Sequence, residues 1–467
     1  MKPFLCAFLL SLAAASADID RTKKPEPGPA PVSSFPAYAL KTLPSGLKVF
    51  VIEDDRKPTL TLRLLIKSGS ASDAEKSGLA GFVASLLNRG TAKRDAATFA
   101  SESDFIGMHV EAVAGADAIA VSASGLTKYT DKILDLFSDA VLHPAYPAEQ
   151  FAKEQRKTLS ALAAEKQEPS RLAEKLAGKV LYGAKNPYGA YRTPETVQAI
   201  TRDDLVQFHK TYFVPNNATL AIVGDVKTAD IVALVEKAME DWKPGDLPAF
   251  KMPAPAEIKG VNIHLVNRPG SVQSNIVLGE AGPARNSPNV PELNVLNATL
   301  GGGFSGRLFQ NLREKHGWTY GAYSAFDLRK YAGAFQANAE TRNAVTHLAI
   351  AETLKEIARL RDEPVPEAEL ELQRQYNVGN YLLSLENTSR TAQRVQDIDL
   401  YGLPADFYKT YATRMESVTP AVIQDLAKTH LSTENVAITV VGEAKEIQPE
   451  LEKIGKVFVY DTELKLQ

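Results

Sequence analysis

Arg313 and Tyr320 are the two side chains of this sequence whose types and spacing suit chemistry on an extended peptide. They stand in the run GGGFSGRLFQNLREKHGWTYGAYS, residues 301–324. A guanidinium presents five donors in a planar fork that matches a carbonyl or a carboxylate. A phenol hydroxyl can donate to an oxygen that is gaining negative charge. Gly301, Gly302 and Gly303 carry no side chain to hold a bound backbone away, and Phe304 follows them as an apolar contact. The run thus reads as a grip on a peptide, with Gly301, Gly302, Gly303 and Phe304 on the substrate side. The plain alternative is a solvated arginine, a half-buried tyrosine and a glycine turn.

One short helix and one turn must position the pair. Ser305 is the expected N-cap, with Leu308, Phe309 and Leu312 as the buried stripe. Lys315 and His316 suit the negative end of a helix dipole, and Gly317 is the expected left-handed stop. A strand is predicted over 318–326.

The wider chain is a duplication. Thr201 and Gly224 are 23 residues apart, as are Thr419 and Gly442. Each threonine opens a helix as its cap, and each helix leads through a turn to an apolar strand that stops at Gly plus an acid. The period of 218 residues is too long for a solenoid repeat and reads as two homologous domains. Strands are predicted at 47–52, 59–67, 219–223 and 436–441, and helices at 78–88, 149–166 and 169–182. The fold class is α+β, each domain a β-sheet covered by helices. The domains are placed at 38–243 and 260–460, joined by a proline-rich linker over 244–259.

At 467 residues the chain is long for a single core. A hydrophobic fraction of 44%, a charged fraction of 23% and a net charge of −3 fit a globular protein and give nucleic acid no basic face. Residues 1–17 read as a secretory signal: Lys2, an apolar stretch too short to span a bilayer, and small residues at Ala15 and Ala17. A proline-rich tether is expected over 18–37, and no membrane span follows. The only cysteine, Cys6, lies inside the signal. An exported chain without disulfides points to a bacterial periplasm.

Two α+β halves, the run LNATLGGGFSGRLFQNLREKHGWTYGAYS and the paired IVGD and VVGE strands resemble the insulinase/pitrilysin family of zinc metallopeptidases. The resemblance covers roughly residues 38–460. In that family a first-domain helix carries HxxEH, two histidine ligands one helical turn apart with a glutamate base between them. The matching segment here is GLAGFVASLLNRGT, residues 78–91. The ligand positions fall on Gly81 and Ser85, the base position on Ala84, and the third ligand near Ala161. These are degenerate metal positions, and a close helix contact is the simplest expected use of so small a strip. No two of the seven histidines are closer than 31 residues.

The resemblance therefore implies a chain that binds no cofactor itself. It would be the non-zinc subunit of a heteromeric periplasmic peptidase, half of a clamshell closing on unfolded peptides. Its partner would be a homologous chain with intact HxxEH that holds the zinc, and Arg313 and Tyr320 would be contributed to the partner's site. Two other readings stand beside it: a non-catalytic peptide-binding or scaffold protein on the same fold, and an autonomous peptidase with an unrecognised metal site.

Overall fold

The computed structural model describes residues 35–467 together with Thr22. The signal at 1–17 and most of the tether lie outside the described residues. The last part of the tether is no spacer, because Phe35 is buried and stacks on Tyr408 with ring centroids 5.4 Å apart.

The first half holds strands β1 (Ala39–Thr42), β2 (Lys48–Glu53), β3 (Thr59–Ile66), β4 (His109–Ala114), β5 (Ile119–Leu126) and β6 (Ala218–Gly224). Its helices are α1 (Leu79–Leu86), α2 (Ala96–Phe105), α3 (Thr130–Leu142), α4 (Ala148–Glu165), α5 (Pro169–Tyr182), α6 (Pro194–Ala199), α7 (Arg202–Tyr212) and α8 (Thr228–Ala238). The second half holds β7 (Val261–Asn267), β8 (Gln273–Gly282), β9 (Ala322–Asp327), β10 (Gly333–Arg342), β11 (Val436–Gly442) and β12 (Lys456–Tyr460). Its helices are α9 (Val290–Leu300), α10 (Arg307–Phe309), α11 (Thr346–Asp362), α12 (Glu367–Ser384), α13 (Thr388–Tyr401), α14 (Tyr411–Glu416), α15 (Pro420–His430) and α16 (Ala444–Leu451). No helix among the described residues is long and apolar enough to cross a membrane.

The strands form two six-stranded mixed sheets, ordered β1-β2-β6-β3-β5-β4 and β12-β7-β11-β8-β10-β9. The orders superimpose strand for strand, so the duplication is structural. In each sheet one central pair is parallel, β2 with β6 and β7 with β11. The outermost strand breaks the symmetry: β1 runs antiparallel to β2, whereas β12 runs parallel to β7. The two helix caps are those the sequence marks. Thr201 Oγ1 accepts from the Asp204 amide and the Asp204 carboxylate accepts from the Thr201 amide, a closed capping box. Thr419 accepts from the Val422 amide at 3.4 Å.

Every residue of β6 and of β11 is buried, so both faces of each sheet are covered. Helices of the same half cover one face. The other face is covered by a helix of the opposite half. Leu172, Ala173, Leu176 and Ala177 of α5 pack on Val266, Val277 and Val441 of the second sheet. Ala392 and Val395 of α13 join Phe50, Ile52, Ala221 and Val223 of the first sheet in one cluster. The two helices sit at equivalent places in the repeat, so the exchange is reciprocal. Residues 35–467 consequently form one compact unit, although the sequence divides them into two domains.

A buried amide locks the exchange. Gln396 of α13 has no solvent exposure, and its Nε2 donates to the carbonyls of Arg63 and Thr219, each at 2.8 Å. Arg63 donates back to Gln396 Oε1 at 2.5 Å. Gln396→Ala removes these bonds between the halves and takes from Arg63 its side-chain acceptor, at about 0.5–1.5 kcal/mol for each bond lost. A lower urea midpoint with an unchanged slope is the expected result.

Candidate functional site

In the second half, α9 ends at Gly301, and the glycine run pins that end to β9. The Gly301 carbonyl accepts from the Ser324 amide at 2.8 Å, and Asn297 is hydrogen-bonded to both the carbonyl and the hydroxyl of Ser324. A Cβ on Gly301 would lie 2.7 Å from Ser324 N, and one on Gly302 would lie 2.8 Å from Ala298 Cα. Gly301 is buried, so its lack of a side chain serves this junction and not the approach of a peptide. Gly302 is exposed and Gly303 half-buried, the latter beside the hydroxyl of Tyr376. Phe304 is 70% exposed, its ring edge-on to Phe309 at 4.9 Å.

Gly306, not Ser305, caps α10, because the Ser305 hydroxyl accepts from Gln373 of α12 at 3.1 Å. The helix then widens to a π-helical turn over Gln310–Lys315. Asn311 is buried there and donates to Glu352 at 2.8 Å and Glu356 at 2.7 Å, which anchors the wide turn to α11. Such turns recur at functional sites. Leu308, Phe309 and Leu312 are the buried stripe, and Gly317 takes a left-handed φ of 62°. β9 starts later than the sequence suggests. Trp318 stacks on His316 at 4.0 Å, and Thr319 makes a local turn with Gly321 before pairing begins at Ala322.

Arg313 lies on the exposed face of the π turn. Its guanidinium sits 5.0 Å above the Phe309 ring and 2.5 Å from Glu314. A contact of this kind is worth about 0.5–1 kcal/mol at an exposed site, and an exposed ion pair about 0–1 kcal/mol, so the fork is lightly held. Tyr320 is 90% exposed, and its hydroxyl makes no hydrogen bond among the described residues. It stands at a cavity of about 530 Å³ walled by Asn275 and Val277 of β8, Gln336 and Asn338 of β10, and Ser170 and Glu174 of α5. Arg313 is not part of that wall. The two are linked through Tyr323, which lines the cavity and packs on Phe309 at 5.9 Å. Tyr323 is the contact that sequence reasoning missed; three residues after Tyr320, an odd step in an alternating strand, its spacing gave no sign that the two share a cavity.

In the first half, α1 starts at Gly78, whose φ of 109° only glycine adopts readily. The Asp73 carboxylate accepts from the amides of Gly78 at 2.7 Å and Ala80 at 2.8 Å. Burial pushes the Asp73 pKa up to about 6 against those bonds. Gly81 lines a second cavity, of about 430 Å³. Beyond its own turn of helix, no atom lies within 4 Å of where its Cβ would be. The strip is therefore not a close helix contact at Gly81; the missing side chain leaves space. Ala84 is buried in the core, and the Ser85 hydroxyl donates to the Phe82 carbonyl at 3.2 Å. On α4 the residues facing the cavity are Leu162 and Glu165. Ala161 is exposed and lies outside it, so the register matched from the helix ends is off by one residue.

Could this place hold a metal? Gly81, Ala84 and Leu162 offer no donor atom, and the Ser85 hydroxyl is engaged. Glu165 has Lys175 at 2.7 Å and Arg192 at 3.8 Å, so cations already occupy its carboxylate. Among the described residues no three His, Cys, Asp or Glu side chains converge to hold a metal ion. The residues do not fit a zinc ion. The exchanged helix α5 brings the two cavities together, because Glu174 lines both. Lys175 and Arg192 carry no sequence signal of this role, since only the fold brings them to α1.

Residues 48–187 match the profile of Insulinase (Peptidase family M16), and residues 199–377 match that of the Peptidase M16 inactive domain. An uncharacterized zinc protease of Mycobacterium leprae is 28% identical over 369 residues, covering 77% of this chain and 82% of the relative. One from Mycobacterium bovis is 27% identical over 427 residues, covering 90% and 96%. The structure of a peptidase M16 inactive domain from Pseudomonas fluorescens is 26% identical, with a TM-score of 0.81 over 87% of this chain and 98% of that one. A protease from Helicobacter pylori shares the fold at 21% identity, with a TM-score of 0.82 over 87% of this chain and 100% of that one. With two profiles of one family matched in order along its two halves, and the sheets and exchanged helices to accompany them, this chain belongs to the insulinase family, peptidase family M16.

Proposed function

We propose that this chain is the non-zinc subunit of a heteromeric zinc metallopeptidase, exported to the periplasm, that binds and positions peptides for a homologous HxxEH-bearing partner. One observation carries the reading. Tyr320 stands 90% exposed at the rim of a cavity with its hydroxyl unpartnered, while the α1 positions that would hold a metal are Gly81, Ala84 and Ser85. An exposed donor aimed at no internal acceptor suits an acceptor brought by another molecule. The match to an inactive domain type agrees with it. In this reading the Tyr320 hydroxyl donates to the scissile carbonyl oxygen. The Arg313 fork holds a neighbouring carbonyl or carboxylate. Zinc belongs to the partner.

Co-expression with an HxxEH-bearing relative from the same genome tests the proposal. The expected outcome is co-elution of the two chains, zinc in proportion to the partner alone, and peptide cleavage that needs both. Stoichiometric zinc and chelator-sensitive cleavage by this chain alone would sink it. Peptide capture with no cleavage beside any HxxEH chain would favour the scaffold reading.

A further inference from the structure

Resting on the peptide-binding reading above, we infer that the cavity over Gly81 receives a carboxylate of the bound peptide, with Arg192 as its receptor. Three cations line this cavity: Arg171, Lys175 and Arg192. Two are engaged. Arg171 donates to Glu174 at 3.0 Å, and Lys175 donates to Glu165 at 2.7 Å. Arg192 lies 3.8 Å from Glu165 and donates no hydrogen bond among the described residues. The remaining carboxylate of the wall, Asp73, is turned to the amides of Gly78 and Ala80.

Arg192 is positioned by backbone. A Cβ on Gly78 would lie 2.9 Å from both Cγ and Cδ of Arg192. The bare glycine at the head of α1 thus lets the arginine stem cross it, which places the guanidinium at the cavity beside Glu165. Below it the absent side chain of Gly81 leaves the volume free, with Leu162 as an apolar wall. A planar fork that donates no hydrogen bond and lies only at ion-pair distance from Glu165, over an open cavity, matches a carboxylate in shape and charge. The cavity beside Tyr320 adjoins this one, because Glu174 is common to both. The carboxylate can come from the chain end or from an acidic side chain.

Fluorescence anisotropy on the full chain decides it, using short labelled peptides of one sequence: a free C-terminal acid, a C-terminal amide, and an amide ending in Glu. The acid is expected to bind roughly ten- to hundredfold more tightly than the amide, the scale of one charge-assisted contact. Arg192→Gln should abolish that preference and leave the amide's affinity and the melting temperature unchanged. Arg192→Lys, which keeps the charge without the fork, should retain part of it. Tight binding of the Glu-ending amide would identify a side-chain carboxylate as sufficient; weak binding would identify the chain end. Equal affinities for acid and amide, or a preference that survives Arg192→Gln, would overturn the carboxylate site and leave peptide binding standing. Failure of all three peptides to bind would overturn the peptide-binding reading itself.

Discussion

Tyr320→Phe in the two-chain peptidase proposed above is expected to lower kcat by roughly 10²–10³-fold, the scale for loss of one oxyanion donor, about 2.7–4 kcal/mol of barrier. The substitution removes one oxygen from a side chain that is 90% exposed and hydrogen-bonded to nothing among the described residues. Changes at such positions shift stability by about 0.5 kcal/mol or less, so a fall in rate cannot be charged to unfolding. KM should move little, because the bond strengthens only as the carbonyl oxygen gains charge. Arg313→Ala should act differently and raise KM, since its fork meets a group that does not react. Arg313→Lys restores the charge without the paired donors and should rescue only part of the loss. Steady-state kinetics on the purified complex give the answer. A kcat within twofold of wild type for Tyr320→Phe would remove the tyrosine from the chemistry.

The second large effect concerns folding. Expressed alone, neither residues 35–243 nor residues 260–467 should unfold cooperatively, while the two expressed together should recover a single sharp transition. The reason is the exchange of α5 and α13. Without the first half, the second sheet loses the cover of Leu172, Leu176 and Leu181, each at most 3% exposed in the whole chain. Burial of a leucine is worth about 1.5–3 kcal/mol, so three of them approach the 5–15 kcal/mol that holds a typical domain together. The first sheet loses Ala392, Val395 and the Gln396 bonds in the same way. A fragment that melts cooperatively alone would show that the sheets are self-sufficient. Leu176→Asp in the full chain is the single-residue form of the test, because it places a charge where Val266, Val277 and Val441 have no partner for it.

The sequence carried the elements better than their neighbours. Residues 169–182 could be read as a helix from end to end, and Thr201 and Thr419 as caps, because period and capping chemistry are local. A 3.6-residue period shows that α5 has an apolar face; it does not say which sheet the face meets. The exchange was invisible for that reason. The π turn at Gln310–Lys315 was hidden because it depends on Asn311 reaching Glu352 and Glu356 of α11, some forty residues away in the chain. Gly301 was misjudged likewise: a glycine's freedom to admit a ligand and its freedom to admit Ser324 look alike in one dimension. On α4, matching the helix ends gave Ala161, while the turn that faces α1 carries Leu162 and Glu165. For an exposed pair such as Arg313 and Tyr320 the sequence supplied position and chemistry, and the structure adds Phe309 and Tyr323 as the bridge between them.

The reciprocal clasp of α5 and α13 also sets where this molecule can bend. A hinge works when a few loop residues absorb a rotation while the packed parts stay whole. Any rotation of one half against the other would have to draw Leu176 out of the second sheet and Val395 out of the first at the same moment. Residues 35–467 should therefore travel as one stiff jaw. In the proposed two-chain peptidase, the gape that admits a peptide would then open where this chain meets its neighbour, and the pace of that opening would belong to their shared seam.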